Sequence, residues 1–191
     1  MTENFPKIRV ALAGNANVGK SIIFNYLTGL HQHIGNWPGK TIERAVGSVY
    51  YKGYEIEITD LPGIYSLSTY SLEELVSREF LLTEKPDIIV NIVDGSILER
   101  NLFFSLQLME LQTPMIMVIN QMDIAKAKGI KINFKDIEST LGIPVIPTIA
   151  TKGNQRRILR QIRTVWGRRS RLVLPHHKCP LRIGPNQKRR S

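Results

Sequence analysis

Gly14-Asn15-Ala16-Asn17-Val18-Gly19-Lys20-Ser21 reads as a glycine, four residues and then Gly-Lys-Ser, the spacing of a phosphate-binding P-loop. The flanks are those the motif requires. Ile8 to Ala13 is an apolar run of strand type, and Ile22, Ile23, Phe24 and Leu27 mark one face of a following helix. Gly14 and Gly19 let the backbone curl so that successive N–H groups point at phosphate oxygens. The helix adds the positive end of its dipole at the same place. Lys20 offers a point charge to the β- and γ-phosphates and Ser21 a hydroxyl to Mg²⁺. The competing reading is an accidental glycine turn.

The P-loop does not choose the base, but Asn120-Gln121-Met122-Asp123 bears on that choice. It follows Met115 to Ile119, another strand-like run, and in doubly wound sheets ligands sit beyond the carboxyl ends of strands. A carboxylate there can accept both guanine N1–H and the N2 amino group, a pair of donors that adenine lacks. Asp123 is therefore the expected guanine reader, and Asn120 the residue expected to tie this loop to the P-loop. The alternative is that Asp123 merely caps a helix. Between the two motifs lies Asp60-Leu61-Pro62-Gly63, after the alternating run Tyr54 to Thr59. Asp60 is placed to hold Mg²⁺ and the Gly63 N–H to meet the γ-phosphate, although Pro-Gly is also a plain turn signal. The polar loop His31 to Thr41 ends in a hydroxyl, Thr41, that could complete the Mg²⁺ shell. A loop and a turn that both touch γ-phosphate would order with GTP and relax on hydrolysis.

These segments together resemble the cytosolic G domain of the ferrous iron transport protein B family. The stretch Gly35-Asn36-Trp37-Pro38-Gly39-Lys40-Thr41 discriminates, because small GTPases in general lack it, and Ile64-Tyr65-Ser66-Leu67 extends the match. The resemblance covers residues 5–155. It implies a Ras-like P-loop GTPase fold, with a mostly parallel sheet, one antiparallel edge strand and helices on both faces. It also implies slow hydrolysis of GTP to GDP, Mg²⁺ held by Ser21, Thr41 and Asp60, and a link to Fe²⁺ uptake through a membrane permease portion. Stimulation by K⁺ is implied too, with Asn17 helping to hold the ion. Asn17 has a simpler alternative role, hydrogen-bonding the P-loop backbone. On this reading the nucleotide contacts come from Asn15, Asn17, Val18, Gly19, Lys20, Ser21, Asp60, Gly63, Asn120, Gln121, Asp123, Thr148 and Ala150. Lys20, Thr41, Gly63 and Asn17 act on the reacting phosphate.

The chain departs from the family pattern at three points. Ala16 stands where proline is usual, Gln121 where lysine packs against the base, and Ile149 where serine is common. Ala150, in the loop Pro147 to Ala150, is expected to offer its N–H to guanine O6, or else simply ends a buried strand. Ile64 occupies the position from which Ras-like proteins orient the attacking water with glutamine. An apolar side chain cannot do that, so either hydrolysis is slow or the backbone, a bound cation or a partner places the water. A GTP-dependent binding switch with negligible turnover is the alternative function.

Composition fits one α/β domain: 191 residues, 42% hydrophobic and 22% charged. A single cysteine, Cys179, precludes an internal disulfide. No apolar run is long enough to span a membrane, and Met1 to Pro6 does not read as a secretory signal, so the expected location is the cytoplasm or the cytoplasmic face of the cell membrane. Strands are expected near 8–13, 45–52, 54–59, 88–93, 115–119 and 143–147, with a hairpin at Lys52-Gly53. Helices are expected at 20–28, 72–82, 98–111 and 134–141. Ile158, Leu159, Ile162, Val165 and Trp166 trace one face of a last helix, which Gly167 is expected to end. The GTP-binding domain is accordingly placed at 1–166 and a basic, disordered tail at 167–191. Twelve of the 26 basic residues and none of the 16 acidic ones lie after Gln155. That composition suits nucleic acid or anionic lipid, or reflects a shifted reading frame or truncated copy. His176-His177 with Cys179 gives three candidate zinc ligands without a fourth, and His31 and His33 read as solvated loop residues.

Overall fold

Seven strands form one sheet because two sequence patterns meet in it: fully apolar runs at the centre and alternating ones toward one edge. The computed structural model describes residues 5–29, 31–68, 70–152 and 156–172. The elements are β1 (Lys7–Gly14), α1 (Lys20–Thr28), β2 (Gln32–Asn36), β3 (Glu43–Tyr51), β4 (Tyr54–Asp60), α2 (Leu72–Thr83), β5 (Ile88–Asp94), α3 (Leu98–Glu110), β6 (Met115–Asn120), α4 (Met122–Ala127), α5 (Phe134–Leu141), β7 (Val145–Pro147) and α6 (Arg156–Leu172). The strand order is β2-β3-β4-β1-β5-β6-β7. Every residue of β5 and of β6 is buried, as a central parallel strand covered on both faces requires. Strands β4, β1, β5, β6 and β7 pair in parallel, whereas β3 runs against both β2 and β4. The sheet is thus mostly parallel, as expected, with its antiparallel strand covered by a short β2.

Alternate side chains divide the core into two layers. Ile8, Val10, Leu12, Ile56 and Ile58 meet α1 and α6 through Ile23, Phe24, Ile158 and Ile162. Ala11, Ala13 and Ile89 meet α2 and α3 through Val76, Phe80, Phe104 and Leu108. Met117 and Ile119 continue that second layer beneath α5. The parallel register brings Gly14, Asp60, Asp94 and Asn120 to one end of the sheet: Leu12 pairs with Asp60, Gly14 with Ile92, and Asp94 with Asn120. This is where an open α/β sheet places its ligands.

Three features differ from the sequence expectation. The segment 32–36 pairs with β3 as a strand rather than lying in a loop. Its Gln-His-Ile-Gly-Asn sequence lacks an apolar alternation, so backbone pairing to β3 and not burial creates it. Helix α4 is too short for helical periodicity to show. Finally, α6 runs through Gly167 to Leu172. Nothing lies within 4 Å of where a Gly167 Cβ would sit, and past the glycine the Arg169 guanidinium ties the helix to the Asp87 carbonyl at 3.0 Å. The tail from 173 onward, with its His-Cys cluster and expected disorder, falls outside the described residues.

A glycine inside a helix costs backbone entropy. Gly167→Ala is therefore expected to stabilise the protein by about 0.5–1 kcal/mol, read as a raised urea midpoint at unchanged slope. A neutral or destabilising effect would mean that the helix stops where the sequence pattern puts its end.

Candidate nucleotide site

The loop between β1 and α1 takes its shape from two left-handed residues, Asn17 (φ 64°) and Gly19 (φ 86°). At Gly19 a Cβ would lie 2.4 Å from Asn120 Nδ2, so only glycine fits. Helix α1 starts at this glycine with no side-chain cap, which leaves its first N–H groups facing the loop. The loop and Gly63 line a cleft of about 460 Å³, to which Asn15, Ala16, Asn17, Gly19, Lys20, Ser21 and Ile22 contribute. The Asn17 side chain is exposed on its rim and makes no hydrogen bond among the described residues. It does not bond the loop backbone, the simpler of its two expected roles.

Asn120 joins three segments. Its Nδ2 donates to the Val18 carbonyl at 2.8 Å, and its Oδ1 accepts from the Ala150 N–H at 2.9 Å. Both bonds are buried, and Asn120 is 2% exposed. The Ala150 N–H, expected to meet guanine O6, is here committed to Asn120, because the asparagine amide spans the gap between the two loops. Gln121, itself left-handed (φ 58°), adds a second tie: its Nε2 donates to the Asn17 carbonyl at 2.9 Å. Sequence reasoning gave Gln121 only a contact with the base and missed this bond, which no local pattern signals. Asp123 sits exposed in the first turn of α4. The Met122 N–H donates to the Thr148 carbonyl at 3.4 Å, so the 120–123 and 148–150 loops are neighbours. The Thr148 hydroxyl is buried without a hydrogen-bond partner among the described residues.

On the phosphate side, Lys20 Nζ lies 2.7 Å from Asp60 Oδ1, with side chains 9% and 11% exposed. The Ser21 hydroxyl donates to Asp60 Oδ2 at 3.2 Å. Burial pushes the Asp60 carboxyl above its ordinary range, and the Lys20 ammonium and Ser21 hydroxyl pull against that shift. A hydroxyl and a carboxylate side by side are hard oxygen donors of the kind Mg²⁺ takes. Gly63 packs on the P-loop so closely that a Cβ would lie 2.9 Å from Ala16 Cα. The next residue, Ile64, sends its N–H to the Gly14 carbonyl at 3.3 Å and buries its side chain, 2% exposed, in the α2–α3 layer. Downstream, Leu67 N–H donates to Gln107 Oε1 at 2.9 Å and the Arg100 guanidinium stacks over Tyr65.

Thr41 is not brought to this group. It is exposed, and no hydrogen bond links it to Ser21 or Asp60 among the described residues. The reason is Trp37, which is 8% exposed and packs edge-on against Phe80 of α2, centroids 5.4 Å apart. The Arg44 guanidinium lies 4.8 Å above the indole, and Lys40 pairs with Glu79 at 2.9 Å. Burial of an indole outweighs anything one threonine hydroxyl offers, so the 37–41 segment rests on α2. The docking leaves Trp37 Nε1 buried without a partner, a recurring mark of a contact kept at some energetic cost.

Fold and cradle together define a Ras-like P-loop GTPase architecture. The model of the ferrous iron transport protein B family matches residues 8–162, and the chain belongs to that family. It is 46% identical over 147 residues to the Fe(2+) transport protein A/Fe(2+) transporter FeoB fusion protein of Porphyromonas gingivalis, covering 76% of this chain. The FeoB G-domain structure from Methanococcus jannaschii is 40% identical with a TM-score of 0.75, covering 85% of this chain and 99% of that one. A point mutant of S. thermophilus NFeoB bound to GDP is 43% identical with a TM-score of 0.77, covering 81% and 61%. The chain spans 17–23% of the length of the curated relatives it matches. Among the described residues, no helix is long and apolar enough to cross a membrane.

Asn120→Ala removes the partner of two buried backbone groups. It is expected to lower folding stability by about 2–4 kcal/mol, measured by denaturant unfolding without ligand. A loss under about 1 kcal/mol would show that the three loops are held together by something else.

Proposed function

We propose that this domain binds GTP with Mg²⁺, hydrolyses it slowly, and serves an Fe²⁺ transporter as its nucleotide-responsive part. The observation that carries the reading is the convergence of the curled P-loop, Asp60 and the Asn120 loop at one end of the sheet. Lys20, paired with Asp60 here, would turn to the β- and γ-phosphates, and Ser21 and Asp60 would hold Mg²⁺, which would supply positive charge to the phosphate oxygens. Thr41 joins them only if the Trp37 loop leaves α2. Backbone N–H groups of Asn15, Val18 and Gly19 fit the remaining phosphate oxygens, and the Gly63 N–H faces the γ-phosphate. Asp123 accepts the two guanine donors, with Gln121 and Thr148 alongside the base. The Ala150 N–H, which donates to Asn120 Oδ1, would be shared with guanine O6 as a second acceptor. Fe²⁺ and the membrane portion enter through the relatives, which are Fe²⁺ transporters.

Ile64 is buried in the core, so its side chain does not orient the attacking water. The Gly63 backbone N–H would take that part, and a bound cation would supply positive charge beside it. Asn17 supports the cation reading: its amide is exposed at the cleft rim and uncommitted, so its carbonyl oxygen suits K⁺, whose charge would offset that developing on the phosphate. Na⁺, smaller and more tightly hydrated, suits the site poorly.

Steady-state GTP hydrolysis in matched KCl and NaCl tests both claims. The parent is expected to turn over roughly tenfold or more faster in KCl, and Asn17→Ala to lose that difference. Equal rates in the two salts, or stimulation that survives the substitution, would overturn the cation role. Absence of turnover in either salt would leave a binding switch and not an enzyme.

A further inference from the structure

Helix α6 has two faces with different fates. Ile158, Leu159 and Ile162 are buried in the core layer beneath the sheet, with Val165 and Trp166 packed beside them. Arg156, Arg157, Arg160, Arg163 and Arg168 are exposed. At 100° per residue these five occupy an arc of roughly 140° opposite the buried stripe and extend over about 18 Å. None of their guanidinium groups has a hydrogen-bond or ion-pair partner among the described residues. Arg169 does, donating to the Asp87 carbonyl at 3.0 Å where the helix end reaches the start of β5. The helix contains no acidic residue.

We infer that this arginine face is a docking surface for anionic lipid headgroups. Five unpaired guanidinium groups on one rigid, straight face present a broad positive surface, and phosphate groups in a plane complement it. Among the described residues no carboxylate pairs with them. The apolar stripe that would let an amphipathic helix sink into a bilayer is already consumed by the core. Attachment is therefore peripheral and electrostatic, without insertion. Single-stranded nucleic acid fits less well, because such sites interleave aromatic side chains for base stacking, and the aromatic residue of this helix, Trp166, packs against the core. The face also lies on the α1 side of the sheet, away from α2 and the Trp37 loop. A membrane bound there leaves the segments around the phosphate site free to move.

Cosedimentation of the full 191-residue chain with vesicles tests the proposal. One set is equal parts phosphatidylcholine and phosphatidylglycerol, and the other is phosphatidylcholine alone. The chain is expected to bind the anionic set only and to leave it at high salt. Arg156→Gln/Arg157→Gln/Arg160→Gln/Arg163→Gln keeps helix propensity and should weaken binding by roughly fivefold per arginine removed. The pair Arg160→Gln/Arg163→Gln gives the same readout with a smaller perturbation. Lys188→Gln/Arg189→Gln/Arg190→Gln is the control for the tail and should bind as the parent does. GDP affinity, followed in every sample, is expected to stay unchanged, which separates a failure of this surface from a failure of the nucleotide site. Four results would overturn the proposal: no binding to anionic vesicles, undiminished binding by both helix variants, binding that survives high salt, or tighter binding to duplex DNA or RNA at equal phosphate concentration.

Discussion

The Asn120 amide is the constraint on which the site depends. It reaches from the end of β6 to the Val18 carbonyl in the P-loop and to the Ala150 N–H after β7. Each of these backbone groups is buried, so each must find a partner or cost free energy. One side chain satisfies both, and in doing so fixes the distance between the phosphate cradle and the loops expected to read the base. Gly19 is the other half of the constraint, since any Cβ there would collide with that same amide. The Gln121 bond to Asn17 repeats the tie one residue further on. Where the family usually has lysine, this chain thus keeps a donor to the P-loop but brings no positive charge.

The segments on the phosphate side are held differently. Lys20 and Asp60 form a nearly buried ion pair, and breaking such a pair by removing one partner is costly because it strands the other charge. The pair therefore suits a site in which incoming phosphate and Mg²⁺ replace each partner at once. The 37–41 loop instead rests on α2 through Trp37, Phe80 and the Lys40–Glu79 pair. That arrangement satisfies the indole ring but not its N–H. The 37–41 loop and the segment after Gly63 are thus each anchored to α2 or α3: one by an aromatic edge, the other by Leu67 to Gln107 and Tyr65 to Arg100.

Much of this was legible in the chain because it rests on local patterns. Periodicity located β1, β4, β5 and β6, and the Gly-x₄-Gly-Lys-Ser spacing located the curled loop. The Lys52-Gly53 turn appears where expected, with Tyr51 paired to Tyr54. What escaped was set by tertiary partners. Residues 32–36 become a strand only because β3 offers its edge. Helix α6 passes Gly167 and meets the Asp87 carbonyl through Arg169, a partner 82 residues away in sequence. The position of Thr41 is decided by where Trp37 finds an apolar seat, and the partner of the Ala150 N–H by the reach of Asn120. Trp37 lies in the stretch that marks the family, but nothing in its local sequence says that it packs on Phe80.

The central claim is that one end of this sheet is a guanine-nucleotide cradle. Calorimetric titration of the full chain with GDP and with ADP, both with Mg²⁺, tests it most directly. Two extra donors to a carboxylate separate the bases, so GDP is expected to bind on the order of a hundredfold more tightly than ADP. Equal affinities for the two nucleotides, or binding of neither, would contradict it.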